Sequence, residues 1–530
     1  MSTTDTTAAA PTAAAHARVA PEDRIPVSQK VGYGLGTFID MWGHWLYPNI
    51  AFQVFGMYLG VASWLIGVAL ILNRMIDAVS DPLFGWLSDN TRSRWGRRRP
   101  FMFVGAIVAG LGLPLLVGVN GGWGTTHLFG KEISNYFWFM IGSSALYLPV
   151  VSCFNMPWVS LGNELTPDYH ERTSLFSYKY VVQKIPEVGL FFAGQFFTLS
   201  LWDNATYGNL WERLPKVPAA VLARLNQLLF TAPSAWNNLP DSKPNILIGG
   251  QVFCAIAGVG VIIMGLTCVA LVRERYYSKL VVAGKQEKIS IKETLWQTLQ
   301  CEPFRAQVVM NLAYALGTSM VGTLGFAATM YYVCGGRLAE GNGWNFLMGL
   351  AGMVMGGIGV PVFGFIARRI GKKPTMGIVF SIAILVFVST WWLYDPNHRW
   401  MQLLACGSIA FTGGGFWMLF YSLLADVVDY DELKTGRRRE GSFSACVSWI
   451  SKVGMALGAG FSFFILDWVG YNPELGGNQS AHTLFMIRLL LAIIPIVGLG
   501  LALVALAKYP LTQEKMAEIR LQLEARRGKV

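Results

Sequence analysis

Charge is what this chain has least of. Of its 530 residues, 14% are Asp, Glu, Lys or Arg, against roughly 25% in a soluble globular domain. With 53% hydrophobic residues and apolar stretches of spanning length recurring throughout, that scarcity excludes a soluble fold and indicates bilayer-crossing helices. The short alternating segments of a membrane barrel are missing too. Cysteines are few, and Cys153, Cys254, Cys268, Cys301, Cys334, Cys406 and Cys446 form no C-x-x-C pair. Neither a disulfide framework nor a structural metal is expected. There is no G-x-S-x-G, no intramembrane His/Glu metal motif and no phosphate loop, which argues against an enzyme. The first 30 residues are rich in Ala, Thr and Pro and lack an apolar core segment. They read as a disordered tail, not a cleaved leader.

What is present is a series of twelve apolar spans: 32–58, 62–88, 100–119, 136–162, 173–200, 246–272, 304–333, 344–367, 374–394, 399–425, 441–468 and 482–508. An even number puts both termini on one side. Loops 89–99, 273–303, 368–373 and 426–440 hold five, six, four and four Lys or Arg, while 120–135, 334–343 and 469–481 hold one, one and none. Short basic loops stay in the cytoplasm, so both termini are expected there, in a cell (inner) membrane. The same placement accounts for the net charge of +11 without a nucleic-acid partner. The expected organisation is a tail at 1–30 and a six-helix bundle at 31–272 with an external insertion at 201–245. A cytoplasmic linker follows at 273–303, with an amphipathic surface helix. A second bundle spans 304–508 and a cytoplasmic tail 509–530.

An internal repeat sets the architecture. Pro82-Leu83-Phe84-Gly85 followed by Gly96-Arg97-Arg98-Arg99-Pro100 reappears as Pro361-Val362-Phe363-Gly364 followed by Gly371-Lys372-Lys373-Pro374. Each copy ends the second span of its half. Two parallel six-helix repeats make a transporter architecture with its site between them. The fold class expected is all-α, polytopic, with twelve transmembrane helices in two pseudo-symmetric halves.

One stretch breaks the apolar rule. Asp77 and Asp81 lie inside the second span, and their i, i+4 spacing puts both on one helix face with Asn73, Ser80, Phe84 and Ser88 on or near it. Ionisable residues at membrane depth are costly and by default mark an ion or substrate path. Two on one stripe repel unless a cation, a proton or a basic side chain joins them. Arg74 or Lys452 as a permanent ion-pair partner is the structural alternative. Lys452 stands mid-span with no acid within a turn, so it needs a partner across a cavity. Lys184 has Glu187 nearby and reads as a local ion pair. A sugar would be held by hydrogen-bonding groups and an aromatic face. Asp40, His44, Asn155, Lys179 and Trp417 offer these, with Trp158 and Trp449 in reserve. His44 by itself reads more readily as a satisfied interior histidine than as a proton relay. The arginine loop is both a topology signal and a candidate cytoplasmic gate, with Arg97 and Arg98 facing Glu164, Asp426 or Asp429.

The run RMIDAVSDPLFGWLSDNTRSRWGRRRP resembles the signature of the glycoside–pentoside–hexuronide:cation symporters, within the major facilitator superfamily. Two further signatures agree: Asn163-Glu164-Leu165-Thr166-Pro167 through Arg172-Thr173, and Ala425-Asp426-Val427-Val428-Asp429-Tyr430-Asp431-Glu432 through Gly441. The resemblance covers about Val31 to Tyr509. It implies the major facilitator fold and symport of a sugar or sugar-like solute with sodium or protons, with no cofactor beyond that ion and a monomer as the working unit. By the same resemblance Asp77 and Asp81 are the cation-site carboxylates, with Ser80 where the family has Asn. Ser152 supplies a hydroxyl, and Asn155 stands at a carboxylate position that also contacts sugar. Lys179, Lys452, Trp417 and Asp40 match the family's helix-five and helix-eleven basic residues, helix-ten aromatic and helix-one acid. The alternatives are a carrier of a lysolipid or organic anion on the same fold, and a non-transporting sensor.

The topology is directly testable. A cysteine introduced at Asn238 should react with an impermeant maleimide added to intact cells, and one at Ser93 should not. Reversed labelling would overturn the orientation.

Overall fold

The computed structural model describes residues 24–91, 93–128, 130–165, 169–199, 202, 245–274, 298–436 and 440–527. Nearly all of the insertion at 201–245 and the expected amphipathic helix of the linker, apart from its last residues, lie outside these. The first span, α1 (27–58), is interrupted: two π-helical turns, Trp42–Leu46 and Phe52–Tyr58, alternate with short α segments. Then come α2 (Ser63–Asn90), α3 (Arg99–Gly112), α4 (Asn135–Glu164), α5 (Tyr169–Phe197) and α6 (Ile246–Leu271). The second half holds α7 (Glu302–Ala327), α8 (Leu338–Ile370), α9 (Lys372–Leu393), α10 (Met401–Thr435), α11 (Glu440–Trp468) and α12 (Ala481–Ala507). Ten of these helices are long and apolar enough to cross a membrane. The two that fall short are α1, cut by its π turns, and α5, which carries Lys179, Lys184 and Glu187.

Two elements were not expected. The loop after α3 folds into a hairpin, β1 (Thr125–Leu128) with β2 (Lys131–Ser134), antiparallel with Thr125 opposite Ser134. The segment beyond 508, expected to be a plain tail, forms α13 (Gln513–Arg527) and lies against α10 with Met516, Ile519 and Leu523 buried. Spacing 3 and 4 of those three apolar residues makes one narrow stripe in an otherwise polar helix.

The repeat has a conformational cause. Gly96 and Gly371 take φ of +99° and +91°, a region that L side chains avoid. Each ends the turn after the second span of its half and lets the chain re-enter the membrane at once, as α3 and α9. Pro82 and Pro361 lie inside α2 and α8, where each leaves one carbonyl without its intrahelical partner.

The halves meet along pairs that the repeat relates: α2 against α11, and α5 against α8. One apolar core fills the first half and reaches into the second through Leu324, Met330, Tyr331, Phe463, Leu466 and Leu491; another lies wholly in the second half around Phe380, Phe416 and Leu506. The shared part lies toward the face opposite the termini. There Phe52 meets Phe326, Phe463 and Tyr471, with centroids 5.4–6.1 Å apart. Elsewhere Val79, Leu146, Val181 and Leu385 stand largely exposed, as lipid-facing residues do.

Apolar attraction between helices vanishes in lipid, so association depends on close packing of small residues. At Gly67 of α2, an added Cβ would stand 2.6 Å from the Gly460 carbonyl oxygen of α11. Gly67→Val should therefore prise the halves apart on this face. Labelling of a cysteine at Ile71, which lies against Gly460, should rise severalfold with an impermeant maleimide; unchanged labelling would show that this contact does not hold the face shut.

Candidate functional site

The polar stripe of α2 is buried where α1, α4 and α11 converge on it. Asp77 has no exposed surface, and Asn73, Ser80 and Asp81 are each below a tenth. The Lys452 ammonium, from α11 in the other half, contacts Asp81 Oδ2 directly and lies 3.5 Å from Asp77 Oδ2. Ser152 of α4 donates to Asp81 Oδ1 at 2.8 Å and exchanges a 2.9 Å hydrogen bond with Ser80. Ser144, a little over two turns earlier on α4, donates to Asn73 at 2.6 Å. The helical spacing that put these α2 residues on one face is thus matched by hydroxyls at corresponding depths on α4.

The irregularity of α1 shapes the other side. Pro48 has no N–H, so the carbonyl of His44 four residues earlier has no helical donor. Arg74 supplies one at 3.2 Å, its guanidinium lying over Trp45 and reaching Asp77 Oδ2 at 3.5 Å. The π turn carries His44 into the cluster, as such turns often do at working sites. Its Nε2 lies 3.2 Å from Asp77 Oδ1 and its Nδ1 3.5 Å from Asp40 Oδ1. Asn155 donates to Asp40 Oδ1 at 2.8 Å and lies 3.4 Å from His44 Nδ1. A continuous chain therefore runs from Asn155 and Asp40 through His44 to Asp77, Lys452, Asp81 and Ser152.

Three carboxylates, Asp40, Asp77 and Asp81, face three fixed cations, Arg74, Lys179 and Lys452, with His44 between. One ligand atom each of His44, Asp77 and Asp81 lies within 4.8 Å of the others. At that separation two carboxylates repel by about 3 kcal/mol at an effective dielectric near ~20. Lys452 offsets this. It occupies the place a small cation would take, so an entering cation or proton competes with it.

The structure sorts the expected residues. Asp77, Asp81, Ser80, Ser152 and Lys452 come together as one group. Asn155, expected beside the carboxylates of α2, instead joins Asp40 and His44, and its Oδ1 is buried without a partner among the described residues. His44, weighed as an ordinary interior histidine, is the link between Asp40 and Asp77. Lys179 lies over the Trp158 ring at 4.7 Å. Trp158 offers a solute no open face: it is fully buried, stacked on Tyr33 at 5.1 Å, with its indole N–H on the Tyr33 carbonyl. Trp417 lies in the second half, edge-on to Tyr314 and stacked on Tyr421. Trp449 is exposed. Lys184 and Glu187 form the local pair, at 2.7 Å.

Two contacts at the gate segments stand out among the described residues. The backbone N–H groups of Arg97, Arg98 and Arg99 donate to one carboxylate, Glu274, at 2.8–3.1 Å. Asp426 binds Lys372 at 2.7 Å within the second half. Both contacts stay inside one half, in keeping with closure on the opposite face. Asp429 is half-buried, and the Glu164 side chain lies outside the described residues. Glu274 was missed; the available signal is an acid between Arg273 and Arg275, just after α6. Nearby, burial alone would push the Glu171 carboxyl up, but Lys30 at 2.9 Å and the Ile25 N–H at 3.2 Å hold it below its ordinary value.

Two six-helix halves with a charged cluster between them at mid-membrane define a secondary transporter that crosses the bilayer many times. The chain belongs to the MFS/sugar transport protein family, whose profile matches residues 30–513. An uncharacterized symporter of Synechocystis sp. is 26% identical, over 95% of this chain and 98% of the relative. The isoprimeverose transporter of Lactiplantibacillus pentosus is 24% identical, over 93% and 90%. A solved bacterial homologue of the human lysosomal transporter Spinster, inward-facing and unoccupied, shares the fold with a TM-score of 0.60 at 13% identity, over 94% of this chain and 97% of that one. These relatives are transporters, not enzymes, and so is this chain.

Breaking a buried ion pair from one side costs roughly 3–5 kcal/mol. Lys452→Met should lower the thermal midpoint of the purified protein in micelles, and adding Asp81→Asn should restore most of the loss. A single mutant as stable as the unaltered protein would mean that Lys452 does not hold the carboxylates.

Proposed function

We propose that the protein imports a sugar or glycoside together with a proton or a sodium ion by alternating access, as a monomer, with both termini in the cytoplasm. The observation that carries this reading is the Lys452 contact with Asp77 and Asp81. The carboxylates belong to the first half and the ammonium to the second, so the occupancy of the cation site and the position of the halves are one variable. A cation that binds the two carboxylates releases Lys452 and cuts a tie between the halves. The solute side is joined to the same variable through Asp40, His44 and Asn155. Linkage then requires that if the cation raises solute affinity, the solute raises cation affinity by the same factor.

The sugar reading is supported by the family, by the likeness to the isoprimeverose transporter, and by polar groups suited to hydroxyls around Asn155, Asp40 and Lys179. The proton is favoured as coupling ion: Asn155 lies with Asp40 and His44 and adds no oxygen to the α2 carboxylates, a sodium ion wants several oxygen ligands to replace its water, and two close carboxylates can share a proton.

The test is uptake of a radiolabelled panel, comprising isoprimeverose, a methyl pentoside and a methyl hexuronide, into vesicles under an imposed proton or sodium gradient. Asp77→Asn and Asp81→Asn should abolish uphill accumulation while leaving downhill exchange measurable, and Asn155→Asp should shift preference toward sodium. If both Asn variants still concentrate solute like the unaltered protein, coupling does not run through α2.

A further inference from the structure

The second pair of helices that joins the halves carries no acid at the place of Asp77 and Asp81: in α8 the corresponding positions are Gly356 and Val360. It carries a different polar group, nearer the face opposite the termini. Gln53 of α1, Gln195 of α5 and Asn342 of α8 converge there. Gln53 is 5% exposed and Asn342 1%, and Gln195 is half-buried. A Cβ added at Gly194 would stand 2.3 Å from Asn342 Oδ1 and 2.8 Å from Gln53 Nε2. One added at Gly343 would stand 3.3 Å from Gln195 Oε1. The two glycines thus let three amides from both halves crowd into one place.

Having been brought together, these amides are left unsatisfied. Gln53 Oε1, Gln195 Oε1 and both Asn342 Oδ1 and Nδ2 have no hydrogen-bond partner among the described residues. Buried polar groups are nearly always paired, and each exception asks for an explanation. Gln195 also lines a cavity of about 670 Å³ that opens beside the cluster, together with Tyr58, Thr198, Tyr331 and Arg337. Its size suits a mono- or disaccharide. Its lining offers the partly exposed Tyr58 for a ring face, and an arginine already paired with Glu340 at 3.0 Å. An amide presents a donor and an acceptor without net charge, which is the complement of a sugar hydroxyl and a poor match for an ion.

We propose that Gln53, Gln195 and Asn342, with the adjoining cavity, form a docking site for a neutral polyhydroxyl solute on the face opposite the termini, which the solute meets before it reaches the charged cluster. This rests on the sugar reading given above. The site is collapsed in the closed arrangement, where Asn342 is pressed against the first half, and it separates into its two halves when that face opens. It is distinct from the Asp40–Asn155 region, which lies deeper and is built around charge.

Right-side-out and inside-out vesicles separate the two faces, with the disaccharide and the methyl pentoside of the same panel as probes. Asn342→Leu and Gln195→Met each remove one or two solute contacts, so each should raise KM measured from the opposite face by about fivefold or more, leaving KM from the terminal face unchanged. Asn342→Ser, smaller and still polar, should give an intermediate shift and stands in if the Leu variant is not recovered folded. Equal shifts on both faces, or none on either, overturn the site while leaving sugar transport intact. A rise on one face matched by a fall on the other marks a moved equilibrium between closed and open forms and likewise overturns solute contact. If the unaltered protein carries no member of the panel, the sugar reading falls and this site with it.

Discussion

A single ammonium group holds the middle of this protein together. Among the described residues, Lys452 is a point at which the two bundles exchange charge in a place largely removed from water. Asp77 and Asp81 repel each other there, and the arrangement is stable only while something positive lies between them. Because the positive group comes from the opposite half, electrostatic satisfaction of α2 and closure of the interface are the same event. A buried ion pair of this kind adds little to stability compared with an apolar replacement. In the proposed transport cycle its value lies in being replaceable by a mobile cation, which an apolar contact can never be.

The rest of the geometry serves to keep that exchange local. Asp77 has Arg74 and His44 as further neighbours and Asp81 has Ser152, so neither carboxylate is bare when Lys452 leaves. The two sides of the cluster differ in consequence. Asp77 is held by groups that already carry or can accept positive charge, while Asp81 depends on one hydroxyl and on Lys452. Asp81 is therefore the carboxylate whose environment changes most when the halves move. It is also the one with the fewest fixed positive neighbours.

Much of this was legible from spacing. Helical periodicity placed Asp77, Asp81 and Ser80 on one face, the repeat of Pro-x-Phe-Gly with a later Gly-basic-Pro placed the halves, and the isolation of Lys452 implied a partner across the interface. What could not be read were features set by irregular backbone. The π turns of α1 leave no periodic signature, so His44 was one polar residue among apolar ones, and its contact with Asp77 depends on a register that the π turn alone provides. The anchoring of the arginine loop was hidden for another reason. Arginines next to a loop suggest side-chain bridges, yet the loop is held through its backbone amides by Glu274, a type of contact that sequence charge patterns do not report. Trp158 shows the same limit in reverse: an aromatic at the right depth for a sugar is fully covered by Tyr33.

The repeat also explains why the polar groups are divided as they are. The internal repeat gives two related interfaces, α2 with α11 and α8 with α5. Charge at one interface acts over several ångströms, through which Coulomb attraction extends in a low dielectric. Neutral amides at the other act only at hydrogen-bond distance and impose no preference on the ion. Had both interfaces kept carboxylates, the two would compete for one cation, and four negative charges would face each other across the same seam. With Gly356 and Val360 at those places in α8 that conflict does not arise, and the close approach allowed by Gly194 and Gly343 brings neutral amides together at the second interface. The asymmetry within a symmetric frame thus follows from the different ranges of the two forces.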